Sequence, residues 1–403
     1  MLKKLFTKSI FYFILLAGSK LLAAVFWIIL ARFFLPEKLG VVVYFTTVAA
    51  TVAAIFDFGL CQFYQKKMAT RPHQWLFTQI LVLRTILFIA SGLLVIALHQ
   101  FSLMSMPYLS WLVIYMLGNS LFCVADGHYL SRSQTLRIGV KNILRNLLLF
   151  ALFIFIALAP HDNFFTSTLF AVIIITISNL AVLLFYFPYR ILRFKALDIS
   201  GTKMLDLLKK SWVYGVMDGS NVLYSRADSL VIQNALGSAA LGIYGSAYRF
   251  LDVFNLLPQA LFHNLFSFAA KENNISRRQL KTMVLTMAGF GLVAGGGLIF
   301  LSQPLIPWLL GEAYTPAVPI MQIFGVVVFL FFLNSPLHVM IQSSRYLKQY
   351  LPWIFGVVML NLALNIILLP ITGTILTAAW VLVGTQIVTI AVNLIFMRKL
   401  KLR

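Results

Sequence analysis

The sequence predicts an all-α polytopic membrane protein, with twelve transmembrane helices in two parallel six-helix repeats around a central cavity. Hydrophobic residues make up 61% of the 403 residues and charged residues only 11%, whereas a soluble protein of this length needs a more polar surface. Apolar stretches of about 18 residues or more recur along the chain, and each is long enough to cross a bilayer as a helix. Sequence similarity between the two halves of the chain indicates the repeat.

The predicted spans follow one another through short connections. The first begins after three lysines, as a signal sequence does, but many spans follow it, so we interpret it as an uncleaved transmembrane helix. The twelve predicted spans cover about 9–31, 41–62, 75–98, 107–126, 141–159, 165–187, 211–235, 246–270, 281–303, 316–341, 350–370 and 373–397.

Basic residues cluster in the connections after even-numbered spans, and the net charge of +21 comes largely from them. Connections after odd-numbered spans are nearly free of Lys and Arg, so the pattern follows the positive-inside rule and predicts that both termini are cytoplasmic. This distribution also argues against nucleic acid as the partner. The clusters are Lys66, Lys67 and Arg71; Arg132, Arg137 and Lys141; Arg190, Arg193, Lys195, Lys203, Lys209 and Lys210; Lys271, Arg277, Arg278 and Lys281; and Arg345 and Lys348.

Two short, similar sequences show the internal repeat. GSKLL at Gly18–Leu22 matches GSNVL at Gly219–Leu223, and the similarity continues to Gly40 and Gly242 with one inserted residue. Six spans per half is an even number, so both halves enter the membrane in the same direction and form a parallel repeat. The predicted domains are an N-terminal bundle at 1–195, a cytoplasmic linker at 196–210 and a C-terminal bundle at 211–403.

Several kinds of chemistry find no support in the sequence. It contains no GxxxxGK[ST] phosphate-binding loop, and its six histidines show no metal-ligand spacing, so we predict no cofactor and no metal site. Two cysteines, Cys61 and Cys123, imply no disulfide framework. The outward connections are short, which argues against an enzyme such as a membrane glycosyltransferase or polymerase.

Charged residues inside the predicted spans are the candidate functional groups, because a charge at the bilayer centre costs about 2.5–3.5 kcal/mol. The basic candidates for substrate binding are Lys20, Arg84 and Arg226, with Lys20 roughly 16 Å and Arg84 roughly 13 Å into their spans. One interpretation is a cationic cavity for an anionic substrate. The alternative is internal ion pairing that joins helices. The acidic candidates, for ion coupling or for such pairs, are Asp57, Asp218 and Asp228, and Asp126 lies nearer the interface.

Glycine spacing indicates where helices pack closely. Gly215 with Gly219, and Gly291 with Gly295, both have the GxxxG spacing that lets two helix backbones approach each other.

Four segments together resemble the polysaccharide and O-antigen flippases of the multidrug/oligosaccharidyl-lipid/polysaccharide exporter superfamily. They are ARFFLPEKLG at Ala31–Gly40, DFGL at Asp57–Leu60, DSLVIQNALGSAALGIYGSAYRF at Asp228–Phe250 and LLGEAYTPAVPIMQI at Leu309–Ile323. The resemblance covers nearly the whole chain, with the segments in the right order and on the right spans.

This resemblance implies a bacterial inner-membrane transporter that flips an undecaprenyl-diphosphate-linked oligosaccharide by alternating access. Members of the family carry basic residues in the first helix of each bundle, where Lys20 and Arg226 lie here, whereas Asn221 stands at the position that matches Lys20. The expected partners are the lipid-linked oligosaccharide, membrane lipids, a coupling ion (H⁺ or Na⁺) and the polysaccharide polymerase machinery.

Other functions fit the sequence less well. A drug or small-cation exporter of the same superfamily would place uncompensated acids in its cavity, whereas basic residues match or exceed acids here. A peptidoglycan-precursor flippase typically has two additional spans. An O-antigen polymerase would carry a large periplasmic loop.

Overall fold

The computed structural model describes residues 2–70, 76–101, 107–132, 134–157, 168–189, 201–254, 277–342, 344 and 346–399. Across these ranges the chain forms α-helices, one short 3-10 helix at Glu312–Tyr314 and no β-strand. The helices are α1 (Leu2–Phe33), α2 (Pro36–Ile55), α3 (Leu60–Thr70), α4 (Leu76–Gln100), α5 (Leu109–Ser131), α6 (Thr135–Ala157), α7 (Thr168–Tyr186), α8 (Gly201–Phe254), α9 (Arg277–Leu310), α10 (Ala317–Gln342), α11 (Leu347–Thr372) and α12 (Leu376–Lys399).

The helices confirm an all-α polytopic membrane fold. Among the described residues, nine helices are long and apolar enough to cross a membrane: α1, α2, α4, α5, α7, α9, α10, α11 and α12. The predicted span 211–235 lies in α8. The predicted span 141–159 lies in α6 as far as Ala157, and residues 158 and 159 lie outside the described part of the chain. Both helices carry several charged residues. The predicted span 246–270 begins in α8, and its residues from 255 onward lie outside the described residues.

The DFGL segment ends α2 earlier than the sequence predicts. Instead of one helix over 41–62, the chain leaves the helix after Ile55 and re-enters it at Leu60. Phe58 and Gly59 have φ angles of 48° and 70°, a left-handed conformation that ends a helix. A methyl group on Gly59 would overlap the backbone of α8 at Gly215. The turn is therefore possible because Gly59 and Gly215 let the backbone of the turn pack directly on the backbone of α8.

Helix α8 joins two spans that the sequence separates. It runs from Gly201 to Phe254, and its one residue with non-helical angles is Gly237, with φ 86° and ψ −178°. Such angles are readily available only to glycine. The side chain of Gln233 donates a hydrogen bond to the hydroxyl of Ser238 across this point (2.9 Å).

The chain divides into two compact units. Residues 1–26 and 41–226 form the first, and residues 27–40 and 227–403 form the second. The predicted domain boundaries at 1–195, 196–210 and 211–403 stay a prediction, and residues 196–200 of the linker lie outside the described part of the chain.

Helix α5 is central to the packing of the first unit, where it contacts α3, α4, α6 and α7. Its buried side chains join those of the neighbouring helices in one apolar cluster that includes Tyr64, Phe77, Leu83, Phe122 and Val182. This cluster holds α3, α4, α5 and α7 in fixed register, so it also fixes the polar groups on the same helices.

Two close helix contacts organise the second unit. A methyl group on Gly40 would overlap the carbonyl oxygen of Ser238, and one on Gly242 would overlap that of Pro36. Gly40 and Gly242, which occupy matching positions in the two halves of the sequence, therefore lie at one close contact between the start of α2 and α8. The second contact joins α9 to α10, where Gly291 and Gly295 pack against the α10 backbone and confirm the predicted close approach.

Candidate polar sites in the two units

Arg84 and Asp57 form an ion pair in the first unit. Both side chains are buried, with Arg84 4% and Asp57 5% exposed. Arg84 also donates from Nε to the hydroxyl of Ser120 on α5 (3.2 Å). Asp57 reaches this position because α2 ends just before it. This contact is the internal pairing that the sequence analysis names as the alternative to substrate binding.

Two cysteines lie beside this pair. Cys61 at the start of α3 and Cys123 on α5 are joined by a disulfide, a pairing that two cysteines in a sequence do not predict. Their sulfur atoms and a carboxylate oxygen of Asp57 all lie within 4.8 Å of one another. Metals bind the thiolate form of cysteine, so bonded sulfur atoms are not suitable ligands and we propose no metal site here.

The two other acidic candidates lie on α8 in different surroundings. Asp218 is partly buried and accepts a hydrogen bond from the side-chain amide of Gln62 on α3 (2.5 Å). Asp228 is 2% exposed; it accepts hydrogen bonds from the backbone N–H of Ser229 (2.7 Å) and from the hydroxyl of Tyr244.

Lys20 and Arg226 lie on α1 and α8, and both belong to the first unit. Each is partly buried. The backbone next to Lys20 is anchored, because Asn146 of α6 donates a hydrogen bond to the carbonyl oxygen of Ser19 (2.5 Å). The structure thus brings Arg84 to Asp57, while Lys20 and Arg226 occupy other positions. The roles of all six candidate residues stay predictions.

A second ion pair, in which the lysine is buried and the aspartate is partly exposed, was not found from the sequence. Lys141 is 6% exposed and donates to both carboxylate oxygens of Asp126 (2.9 and 2.7 Å). Tyr186 donates its hydroxyl proton to the same carboxylate (2.6 Å). Because α6 begins at Thr135, Lys141 lies inside a helix, whereas the charge pattern places it with the basic connection. The sequence holds one acid and one base on either side of a short connection, and only the helix bounds show that Asp126 and Lys141 face each other.

The second unit contains a buried polar cluster of its own. The Tyr350 hydroxyl donates to Asn393 (2.6 Å) and contacts His338 Nδ1 (2.9 Å), and Asn393 donates to Asn334 (2.6 Å). A neighbouring set joins Asn361 of α11 to Thr385 of α12 (3.1 Å). Within the membrane such hydrogen bonds join helices.

The family is shown by comparison with known sequences. The profile of a family described as "Polysaccharide biosynthesis protein" matches residues 29–319. A curated relative, the teichuronic acid biosynthesis protein TuaB of Bacillus subtilis (strain 168), is 28% identical over 167 residues. That match covers 40% of this chain and 34% of the relative, so it spans about a third of the relative's length.

Solved structures with the same fold are transporters and flippases. The lipid II flippase MurJ, in an inward closed conformation, aligns with a TM-score of 0.74 at 13% identity and covers 96% of this chain and 87% of MurJ. An inward-facing multidrug resistance MATE family transporter of the MOP superfamily aligns with a TM-score of 0.68 at 15% identity, covering 95% and 94% of the two chains.

A MOP superfamily transporter from Pyrococcus furiosus, described as having a binding pocket of reverse polarity, aligns with a TM-score of 0.64 at 16% identity and covers 98% of this chain and 95% of its own. At such identities these likenesses show the fold. The profile match covers most of the chain and agrees with the expected resemblance. The chain therefore belongs to the polysaccharide biosynthesis protein family.

Proposed function

We propose that this protein is a flippase that moves an undecaprenyl-diphosphate-linked oligosaccharide, a repeat unit of O-antigen or another surface polysaccharide, across the bacterial inner membrane by alternating access. The observation that carries the proposal is the match to the polysaccharide biosynthesis family over residues 29–319 in a chain of membrane-spanning helices. MurJ, which is named a lipid II flippase, shares the fold. In this proposal the protein is a transporter and not an enzyme.

Lys20 and Arg226 are the side chains we assign to the diphosphate. Both are basic, partly buried and located on helices that cross the predicted membrane region. Lys and Arg suit phosphate oxygens, because hydrogen bonds from a charged donor to a charged acceptor are about twice as strong as neutral ones. Arg84 is proposed as a third contact, but it would have to exchange its ion pair with Asp57 for the substrate.

Asp218 is the acid we assign to ion coupling. It is partly buried and hydrogen bonded by a neutral amide, whereas the charge of Asp57 is compensated by Arg84. The sequence has no nucleotide-binding loop, so a gradient of H⁺ or Na⁺ is the proposed energy source. The polysaccharide polymerase machinery would receive the flipped product.

The proposed orientation has both termini in the cytoplasm, and it predicts the sidedness of two exposed threonines. In a Cys61→Ser/Cys123→Ser background, a cysteine at Thr202 should be labelled from the cytoplasmic side and a cysteine at Thr374 from the periplasmic side. The reason is that basic connections remain inside. Labelling by a membrane-impermeant maleimide in intact cells and in inverted vesicles checks this. Labelling of both positions from one side would contradict the orientation.

Substitution of Lys20 tests the cationic site. We expect Lys20→Ala to slow flipping roughly tenfold, since a charge-assisted hydrogen bond is worth about 1.5–3 kcal/mol. Lys20→Arg should retain more activity, and Lys20→Glu should be the slowest because it repels phosphate. The measurement is lipid-linked oligosaccharide that accumulates on the cytoplasmic face at normal protein abundance.

Lys209→Glu is the control for charge reversal by itself, because Lys209 is exposed and is not among the residues proposed to contact the substrate. Normal flipping by Lys20→Glu at wild-type abundance would remove Lys20 from the site. The alternative is a drug or small-cation exporter, because a MATE family transporter shares this fold. In that case a strain from which the gene is deleted would flip the lipid-linked oligosaccharide normally and would lose resistance to a cationic compound. If the protein were an O-antigen polymerase, the deletion strain would accumulate single, already flipped repeat units on the periplasmic face of the membrane.

A further inference from the structure

A groove of about 570 Å³ opens on the first unit between α6 and α7. Its volume falls within the usual range of ligand pockets, about 300–1,000 Å³. Apolar side chains form most of its wall, including Val140, Leu144 and Leu148 on α6, and Ala181 and Phe185 on α7. Phe185 is 93% and Leu144 51% exposed. The apolar residues of α6 recur every four positions and so form one continuous stripe.

Basic groups lie at one end of this groove. Arg137 is exposed and Lys141 is buried, and both line the groove one and two turns from the start of α6. The Arg137 guanidinium lies over the ring of Tyr129 (5.1 Å). The Lys141 ammonium lies over the rings of Phe122 (4.8 Å) and Tyr186 (5.2 Å).

The charge at this end is net positive. Lys141 is neutralised by Asp126, to which it donates at 2.9 and 2.7 Å, and the Tyr186 hydroxyl also donates to that carboxylate (2.6 Å). Arg137 then contributes one positive charge at the mouth. A fixed ion pair beside an exposed arginine forms a rigid polar end for an otherwise apolar groove.

The length of the groove matches one membrane leaflet. From Arg137 to Leu148 the helix rises roughly 16 Å, at 1.5 Å per residue, and half of the hydrocarbon core is about 15 Å. An acyl chain that lies along Leu144 and Leu148 would place its phosphate beside Arg137. Basic pockets between transmembrane helices are known to bind anionic lipid headgroups.

We infer that the groove between α6 and α7 binds one anionic phospholipid, with the phosphate at Arg137 and an acyl chain along the α6 stripe. A phospholipid fits better than a diphosphate lipid, because the groove is as long as one leaflet and, among the described residues that line it, Arg137 is the one cation without a carboxylate partner. None of Lys20, Arg84 and Arg226 lines the groove, and lipid retention is measured without transport. The lipid-binding test can therefore succeed or fail independently of the proposed flippase function.

The test uses the delipidated, full-length protein in detergent, titrated separately with dioleoylphosphatidylglycerol and dioleoylphosphatidylcholine. Native mass spectrometry counts the lipids bound. The two lipids share acyl chains, so a difference between them reports the headgroup. We expect phosphatidylglycerol to bind about fivefold more tightly, the effect of one basic residue near a membrane surface. Arg137→Gln should remove this preference, and Arg137→Lys should keep most of it.

Groove-filling variants test the apolar part. Ala181→Trp should abolish the first bound lipid of either kind, whereas Leu184→Trp, on the same helix and 65% exposed outside the groove, should not. If Ala181→Trp does not fold, Leu144→Gln provides a second test, because it makes the apolar wall of the groove more polar at an exposed side chain and should also weaken lipid binding. Lys209→Gln controls for the general loss of a positive charge.

Three results would overturn the inference. Equal binding of the two lipids by the wild-type protein would show that the headgroup is not recognised. An undiminished preference in Arg137→Gln would place the anionic site elsewhere. Displacement of phosphatidylglycerol by undecaprenyl diphosphate at a tenfold lower concentration would assign the groove to the transported lipid.

Discussion

Arg84→Met should lower the free energy of unfolding by about 3–5 kcal/mol, because it leaves the carboxylate of Asp57 buried without its ion-pair partner. The Asp57 side chain is only 7% exposed, so water cannot replace the lost contact. Asp57→Asn should have a similar effect through the stranded guanidinium of Arg84. Unfolding of purified protein in detergent micelles, followed by fluorescence, measures both changes.

The double variant Arg84→Met/Asp57→Asn should recover most of this loss, since replacing both charges of a buried pair by groups of similar shape is often neutral. An exposed ion pair supplies the control. Lys210 and Asp206 are 2.5 Å apart on α8, with side chains 55% and 56% exposed, and Lys210→Met should cost at most about 1 kcal/mol. Equal losses from Arg84→Met and Lys210→Met would contradict a stabilising role for the buried pair.

The same double variant separates the two interpretations of Arg84. If Arg84 serves only to join helices, flipping should return together with stability. If Arg84 also contacts the diphosphate, the double variant should be abundant and stable, yet slow in flipping. Measuring accumulated lipid-linked oligosaccharide against protein abundance in the same cells distinguishes these results.

Gly40→Ala should prevent the protein from accumulating in the membrane. A methyl group there overlaps the backbone carbonyl of Ser238, and no rotamer change can relieve a clash with backbone. Overpacking a core costs about 1–3 kcal/mol, occasionally more, and we expect the upper part of this range or beyond. Gly242→Ala should act alike, since its methyl group overlaps the carbonyl of Pro36. Abundance in isolated membranes measures the effect.

The two substitutions should not be additive. Both force apart the same pair of backbones, so one separation relieves both clashes and the double variant should cost less than the sum. Gly356→Ala is the matched control, because its methyl group would meet no heavy atom of the described residues within 4 Å. Alanine should be tolerated there or stabilise α11 slightly. Similar losses at Gly40 and Gly356 would show that close packing is not the cause.

The membrane-spanning helices were predictable because burial in lipid is a property of consecutive residues. Helix interruptions were harder to predict. Phe58 and Gly59 break the predicted span 41–62, and the cause is a contact with Gly215, which is distant in sequence. Hydropathy contains no information about such contacts.

The types of the buried charges were predictable, but their partners were not. The sequence places Arg84 and Asp57 in spans and leaves pairing open, because pairing depends on how each helix is rotated. Lys141 was grouped with the basic connection because the positive-inside pattern counts basic residues as loop markers. Its partner Asp126 lies across the turn between α5 and α6, and only the helix bounds reveal that the two side chains meet.

The pairing of Arg84 with Asp57 and of Lys141 with Asp126 has an electrical consequence. Moving one elementary charge across a membrane potential of 100 mV involves about 2.3 kcal/mol of electrical work. A pair of opposite charges that moves as one body carries no net charge, so displacing it requires almost no such work. Neutralising a single member would convert the pair into a charge that responds to the membrane voltage. If each pair moves as one body, voltage sensitivity in the native protein would originate in charges outside these two pairs, such as other ionisable side chains, the coupling ion or the substrate.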